Sequence, residues 1–210
     1  MQTAQYWSSN QYSNESRYQY RDATANGAWA SLYAGPLQDL QTIIDLNSGD
    51  NAADYSGYGD NVNQIAVCQL LQAWTFQHLS DAFGAIPMSE ALAGVSNTTP
   101  VYDSQADVYS GLITLIDGAL SGMNVSGAGP QGDQIYGGDM AQWAKFGNSL
   151  KLRVAMRMAD VNPGAAQAAA EAAASNHQRV AGGVAAGGGG GGGGGDHGAG
   201  PELGNGPSLP

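Results

Sequence analysis

Apolar residues recur at three- and four-residue intervals over four long stretches of this chain. That spacing places them on one face of an α-helix, and almost no run alternates apolar and polar residues as a half-buried strand would. The first stretch starts near Thr24 and passes Pro36, where we expect a kink because proline cannot donate a helical hydrogen bond. The second runs from about Asn61 to Phe83. The pattern predicts an all-α body of four main helices, arranged as two antiparallel pairs.

The third and fourth stretches carry recognisable helix starts. Ser104 followed by Asp107 is typical of a capping box. Asp139 is placed to cap a fourth helix, which should end before Pro163. Seven large side chains on the apolar faces are predicted to be buried: Trp29, Leu40, Trp74, Leu112, Trp143, Phe146 and Leu150.

The composition changes after residue 163, so residues 1–163 are predicted to form the helical domain. The segment that follows is rich in alanine and can form a helix by propensity alone, but it offers little to bury. The glycine run Gly187–Gly195 cannot repay the entropy of ordering its backbone. We therefore predict that residues 164–210 are a low-complexity, disordered tail.

The charge balance excludes several classes of function. Seven basic and 18 acidic residues give a net charge of −11, which repels the phosphates of nucleic acids. Cys68 is the single cysteine, so no disulfide framework is possible. No stretch approaches the roughly 18 consecutive apolar residues of a membrane-spanning helix.

Two possible cofactor or metal motifs are better explained without a ligand. Gly127, Gly129 and Gly132 match a dinucleotide-binding pattern, but no strand precedes them and no helix opens directly after them. His78 has no histidine or cysteine one turn away, which favours a buried core histidine over a metal ligand. We predict no metal site and no cofactor.

The charged candidates also have structural explanations. Asp81 and Glu90 flank a turn and could form an acid/base pair, although helix-capping and loop hydrogen bonds are the favoured roles. Arg153 and Arg157 lie beside an apolar stripe on an acidic chain, so at least one should pair with a carboxylate. No catalytic residue is predicted.

Aromatic residues in loop-like, polar segments carry the most functional interest. Tyrosine and tryptophan rings stack on sugar rings while their polar atoms form hydrogen bonds. Ordinary loop packing remains the alternative for each of them. The candidate ligand-binding residues are Trp7, Tyr18, Tyr20, Tyr55 and Tyr58.

Five blocks in series resemble the SusD/RagB-like nutrient-binding outer-membrane lipoproteins of Bacteroidota. In chain order they are WASLYAGPLQDLQTIID at 29–45, AVCQLLQAWTFQHLSDAFG at 66–84, FGAIPMSEAL at 83–92, PVYDSQADVYSGLI at 100–113 and YGGDMAQWAKFGNSLKLRVAMRMADVNP at 136–163. The resemblance implies a tetratricopeptide-like helical scaffold at the outer membrane and no catalysis. It also implies binding of an oligosaccharide or another small nutrient, which is handed to a SusC-like TonB-dependent transporter.

The chain also departs from this family. Family members carry a lipoprotein signal peptide with an acylated cysteine, and Cys68 lies in mid-helix and is not that cysteine. The resemblance ends near Pro163, so we expect an N-terminal piece that by itself binds glycans weakly or not at all. A helical protein–protein adaptor without sugar binding is the alternative function, and a glycoside hydrolase is a more distant one.

Overall fold

The computed structural model of this chain describes Tyr6 and residues 10–11, 13–19 and 22–187, with residues 15, 22–25 and 177–187 described by their backbone alone. Its α-helices are α1 (Asp22–Leu32), α2 (Gln38–Ser48), α3 (Asn61–Phe83), α4 (Gln105–Gly122), α5 (Met140–Met158) and α6 (Pro163–Gly187). Short 3₁₀ helices span Glu15–Arg17, Ala52–Tyr58 and Gly94–Ser96. The described residues contain no strand, only an isolated bridge between Ile86 and Asp103. The predicted all-α class is confirmed.

The expected kink lies between α1 and α2. A π-helical turn spans Tyr33–Leu37, and Gly35 within it has non-helical φ and ψ of −102° and −106°. Pro36 follows directly and lacks the N–H that would continue the helix. Leu37 is fully buried at this point, so the bend is anchored in the core.

Side-chain hydrogen bonds show that α3 and α4 are antiparallel. At the start of α3, the Asn63 amide donates to the carbonyl of Asn124 just beyond α4, at 2.9 Å. At the start of α4, the Gln105 amide donates to the carbonyl of Ser80 near the end of α3, also at 2.9 Å. Helix α3 also contacts α2, and α5 contacts both α4 and α6. The predicted antiparallel pairing is therefore found for this central pair.

The predicted helix caps are present. The backbone N–H of Asp107 donates to the Ser104 hydroxyl at 3.2 Å, and the hydroxyl donates to the Asp107 carboxylate. Asp139 accepts hydrogen bonds from the N–H groups of Ala141 and Gln142. Each cap satisfies backbone donors that have no partner within the helix.

The core agrees with the predicted set except at one position. Fully buried members are Leu112, Trp143 and Leu150, and partly buried members are Trp29, Leu40 and Phe146. Trp74 is instead 39% exposed, so the prediction that it is buried is wrong. Its ring lies against that of His78, with 4.2 Å between the ring centroids and an angle of 48° between the planes. His78 is likewise half-buried rather than a core histidine.

The alanine-rich segment after residue 163 is helical as far as Gly187. Ala166, Ala169 and Ala173 are buried, and α6 packs on α5. The expectation that disorder begins at residue 164 is corrected for this segment. Small side chains at three- and four-residue spacing let two helices approach closely, so the backbone itself contributes to the buried surface. The rest of the predicted tail, residues 188–210, lies outside the described residues.

None of the described helices is long and apolar enough to cross a membrane.

Candidate functional site

The Asp103 carboxylate helps to hold in place the connection between α3 and α4, residues 84–104. Asp103 accepts hydrogen bonds from the backbone N–H groups of Met88 and Ser89 and from the Ser89 hydroxyl, at 2.6–2.8 Å. Burial alone raises the pKa of Asp103, but these three hydrogen bonds outweigh it and hold the pKa below its ordinary value. The connection is therefore an ordered loop, and it lines a cleft.

The first cleft, called the aromatic cleft below, lies between the kinked first helix and this connection. Its volume is about 470 Å³. Its lining residues are Trp29, Tyr33, Pro87, Ala91, Leu92, Thr98, Thr99, Pro100 and Tyr102.

Stacked rings form one wall of the aromatic cleft. Trp29 and Tyr102 are nearly parallel, with an interplanar angle of 14° and 5.9 Å between ring centroids. Phe83 meets Trp29 edge-on at 5.1 Å and supports it from the core side. Because Tyr102 is 65% exposed, much of its ring is open to solvent. A flat exposed ring of this kind can stack on the apolar face of a sugar.

Tyr33 ties the aromatic cleft to the connection. Its hydroxyl donates to the carbonyl of Pro87 at 2.6 Å. Burial, with smaller contributions from Tyr102 and Asp103, raises the pKa of Tyr33 well above its ordinary value. Tyr33 therefore remains a hydrogen-bond donor at every physiological pH.

The second cleft, called the Asp81 pocket below, lies between the end of α3, the start of α4 and the end of α5. Its volume is also about 470 Å³. Its lining residues are Asp81, Gln105, Ala106, Tyr109, Ser110, Arg157, Met158, Val161 and Asn162.

A carboxylate, a phenol and a guanidinium meet in the Asp81 pocket. The Tyr109 hydroxyl donates to one Asp81 oxygen at 2.5 Å, and Arg157 pairs with the other at 3.3 Å. Burial, together with the hydrogen bond and charge of Asp81, raises the pKa of Tyr109 to about 12. The Arg157 ion pair confirms that at least one of the two α5 arginines meets a carboxylate.

The structure describes three of the five aromatic residues predicted from the sequence to bind ligand. Tyr58 is 60% exposed and Tyr55 is half-buried on the 3₁₀ helix Ala52–Tyr58, which the buried Gln64 amide holds through the Tyr55 carbonyl at 3.0 Å. Tyr18 is 57% exposed, with φ of 56°. Trp7 and Tyr20 lie outside the described residues. None of the three described lines either cleft, and a ligand-binding role for all five stays a prediction.

Two residues of the aromatic cleft were overlooked as site residues in the sequence. The spacing places Trp29 on the apolar face of its helix, and Tyr102 falls within a block of family resemblance. A tyrosine two residues after Pro100 and two before the capping Ser104 is a usable signal, because it falls in a connection between helices, and connections run over the surface. The stacking partner could not be identified from the sequence, since Trp29 and Tyr102 lie 73 positions apart along the chain.

The other candidate motifs have structural roles. Glu90 accepts hydrogen bonds from the Asn97 amide and the N–H of Val101, so it organises the connection and does not meet Asp81. Gly129 lies so close to the backbone of Gly138 that a Cβ would overlap it, in agreement with a packed loop rather than a dinucleotide motif. Among the described residues, no group of histidine, cysteine, aspartate or glutamate could hold a metal ion.

Cys68 is a core residue in the structure. It is 5% exposed, and burial raises the pKa of its thiol to about 12. The thiol is therefore protonated at neutral pH and acts as a small apolar side chain.

Comparison with known families identifies the scaffold. The sequence profile of a SusD-like family, described as starch-binding and associating with the outer membrane, matches residues 1–182. No curated protein matches the sequence significantly.

Solved structures of similar proteins share the helical arrangement. A chitin-binding protein is 32% identical, with a TM-score of 0.68, over 83% of this chain and 36% of its own. A SusD-like protein of Bacteroidetes AC2a is 28% identical, with a TM-score of 0.65, over 77% of this chain and 28% of its own. A SusD-like protein from Bacteroides thetaiotaomicron is 27% identical, with a TM-score of 0.61, over 76% of this chain and 31% of its own. The chain thus spans about a third of the length of these relatives.

Proposed function

The chain belongs to the SusD-like family, and from that membership we propose that it serves in non-enzymatic glycan binding at the cell surface. The family is described as starch-binding and outer-membrane associated, and one similar structure is that of a chitin-binding protein. We propose that the ligand is an oligosaccharide and that the bound glycan passes to a SusC-like TonB-dependent transporter.

The aromatic cleft is our candidate for the glycan contact on this part of the protein. The observation that carries it is the Tyr102 ring, which is 65% exposed and backed by the parallel Trp29. Because Trp29, itself backed by Phe83, supports the Tyr102 ring, this ring loses little entropy when a sugar stacks on it. Thr98 and Thr99 line the same cleft and bring hydroxyl groups beside the ring.

Calorimetry and NMR titration with chitooligosaccharides and maltooligosaccharides test this site. We expect weak binding, in the millimolar range, and a loss of about tenfold in Tyr102→Ala, since one aromatic contact contributes up to about 1.5 kcal/mol. Trp74→Ala is the matched control because it removes an exposed aromatic side chain outside the cleft. If Tyr102→Ala and the unmodified chain bind the oligosaccharides with equal affinity, the aromatic cleft is not the glycan contact.

Two further measurements address the class of function. Incubation with each oligosaccharide should leave it intact, and any hydrolysis product would contradict a purely binding role. Co-purification with a co-expressed SusC-like transporter tests the proposed partnership. Binding to that transporter without affinity for any glycan would favour the helical adaptor instead.

A further inference from the structure

The Asp81 pocket has no part in the glycan contact proposed above. It shares no lining residue with the aromatic cleft, and three helices contribute to its walls. Its volume of about 470 Å³ lies within the usual range for small-molecule sites. Its chemistry indicates what kind of molecule it fits.

The two charges in the Asp81 pocket neutralise each other. The Arg157 guanidinium lies 3.3 Å from the Asp81 carboxylate, and both side chains keep some exposure to solvent, 50% and 21% respectively. A free anion would meet the carboxylate, and a free cation would meet the guanidinium. The pocket therefore disfavours a charged ligand but retains guanidinium N–H donors and carboxylate lone pairs for hydrogen bonds.

The remaining polar groups in the pocket include acceptors held in fixed positions and one amide donor. Asn162 supplies the donor, because its side-chain oxygen already accepts from the N–H of Ala165 at 3.3 Å. The Gln105 amide nitrogen donates to Ser80, which turns its oxygen into the available acceptor. The Ser110 hydroxyl donates to the carbonyl of Ala106 at 2.9 Å, which likewise leaves oxygen lone pairs. Acceptors and donors side by side suit a ligand with several hydroxyl groups, since a hydroxyl both donates and accepts.

The pocket also has apolar walls, and a buried amide lies close to it. Met158 and Val161 provide aliphatic walls for the C–H faces of a ring. Gln77 is fully buried beside the Tyr109 hydroxyl, and its amide makes no hydrogen bond of standard geometry within the described residues. Gln77 does not itself line the pocket.

We propose that the Asp81 pocket binds a single neutral, hydroxyl-rich ring, such as one hexose unit of a glycan. The site is additional to the aromatic cleft and rests on the proposed function only for the class of ligand. Asp81 and Arg157 contact ring hydroxyls, while Met158 and Val161 cover a ring face.

Titration with three hexoses that differ in charge tests the assignment. D-glucose, D-glucosamine and D-glucuronate are added separately to the ¹⁵N-labelled chain, and amide shifts are followed at Gln105, Ala106, Ser110 and Asn162. Glucose should shift these amides at millimolar concentration, with an affinity at least fivefold higher than that of the two charged sugars. Shifts of equal size for all three sugars, or none up to solubility, would overturn the proposal.

Charge-changing variants then separate recognition from folding. Arg157→Gln leaves Asp81 unpaired, so glucose affinity should fall about tenfold and the preference should move to the cationic glucosamine. Asp81→Asn leaves Arg157 unpaired and should move the preference to glucuronate. Arg153→Gln, one helical turn earlier on α5, is the matched control and should behave as the unmodified chain.

The variants also keep this proposal apart from the preceding one. Tyr102→Ala should leave the glucose shifts at the Asp81 pocket unchanged even where oligosaccharide binding at the aromatic cleft is lost. An unchanged sugar preference in both charge variants would overturn the pocket assignment. If Arg157→Gln does not fold, the Asp81→Asn variant and the unmodified chain still decide the question.

Discussion

The indole N–H of Trp143 donates a 2.7 Å hydrogen bond to the carboxylate of Asp133. The same carboxylate accepts from the backbone N–H groups of Ile135, Tyr136 and Gly138. One buried tryptophan at the start of α5 thereby fixes the glycine-rich loop that joins α4 to α5.

Replacing Asp133 should therefore destabilise the protein. Asp133→Ala strands the indole N–H of Trp143, which is 1% exposed, and releases the loop amides. We expect a loss of about 2–3 kcal/mol in the free energy of unfolding, the usual cost of an unsatisfied buried donor plus lost charge-assisted bonds. Urea denaturation measures this loss, and replacement of the exposed Asp39 by alanine is the control. A loss no larger than in the control would show that the loop is held by other contacts.

Acid should weaken the fold through Asp103 and Asp133. Both carboxyl groups have a lowered pKa, because hydrogen bonds to the ionised form outweigh the opposing effect of burial. The folded state therefore binds fewer protons than the unfolded state. The stabilisation is complete above the unfolded pKa of about 4 and is lost as the pH falls through the lower folded values.

The melting temperature measured from pH 7 to pH 2 checks this dependence. It should fall in the acid range, and the fall should be shallower in Asp103→Asn and Asp133→Asn, which cannot titrate. Slopes identical to that of the unmodified chain would place the acid sensitivity elsewhere.

Two helical glycines should respond in opposite directions to alanine. A Cβ at Gly147 would lie 2.7 Å from a Leu120 methyl and 3.0 Å from a Leu70 methyl, whereas one at Gly118 meets nothing within 4 Å. Gly118→Ala should stabilise α4 by about 0.5–1 kcal/mol through helix propensity. Gly147→Ala should be destabilising. Overpacking costs about 1–3 kcal/mol, which exceeds the gain in helix propensity that the added methyl group brings. Thermal unfolding of the two variants side by side gives the comparison, and equal shifts would show that the leucines move away freely.

Replacing Lys151 should lower the free energy of unfolding less than replacing its partner, Asp117. Its ammonium lies 2.6 Å from the Asp117 carboxylate, with the lysine side chain 6% exposed and the aspartate 49% exposed. Asp117→Ala leaves a buried ammonium unpaired, while Lys151→Met replaces it with an apolar side chain of similar length. Since Asp117 is half exposed, we expect a moderate cost of about 1–3 kcal/mol for Asp117→Ala and a smaller cost for Lys151→Met. Denaturant titration checks the order, and the reverse order would contradict it.

Helix positions were readable from the sequence because they depend on local spacing. The bounds expected for the second helix, Asn61–Phe83, are those of α3, and the caps at Ser104 and Asp139 were identified from neighbouring residues. Trp74 shows the limit of the same reasoning. Periodicity assigns a residue to a helix face, but only packing decides whether a neighbouring helix covers that face.

Both candidate sites depend on residues that are distant in sequence. The ring pair Trp29–Tyr102 and the cluster of Asp81, Tyr109 and Arg157 each join elements that only the tertiary fold brings together. The sequence indicated that Arg157 needs a carboxylate partner, yet several acidic residues could have met it.

The sequence by itself determined the all-α class, the kink at Pro36, the principal helices and the SusD-like family, because these follow from local spacing and from motifs along the chain. The tertiary structure decided that Ala166, Ala169 and Ala173 of α6 are buried, that Trp74 is not, and where the two clefts lie. The physical reason is that burial and cavity shape depend on which helices and loops pack against each other. The spacing of apolar residues along one helix does not specify those contacts.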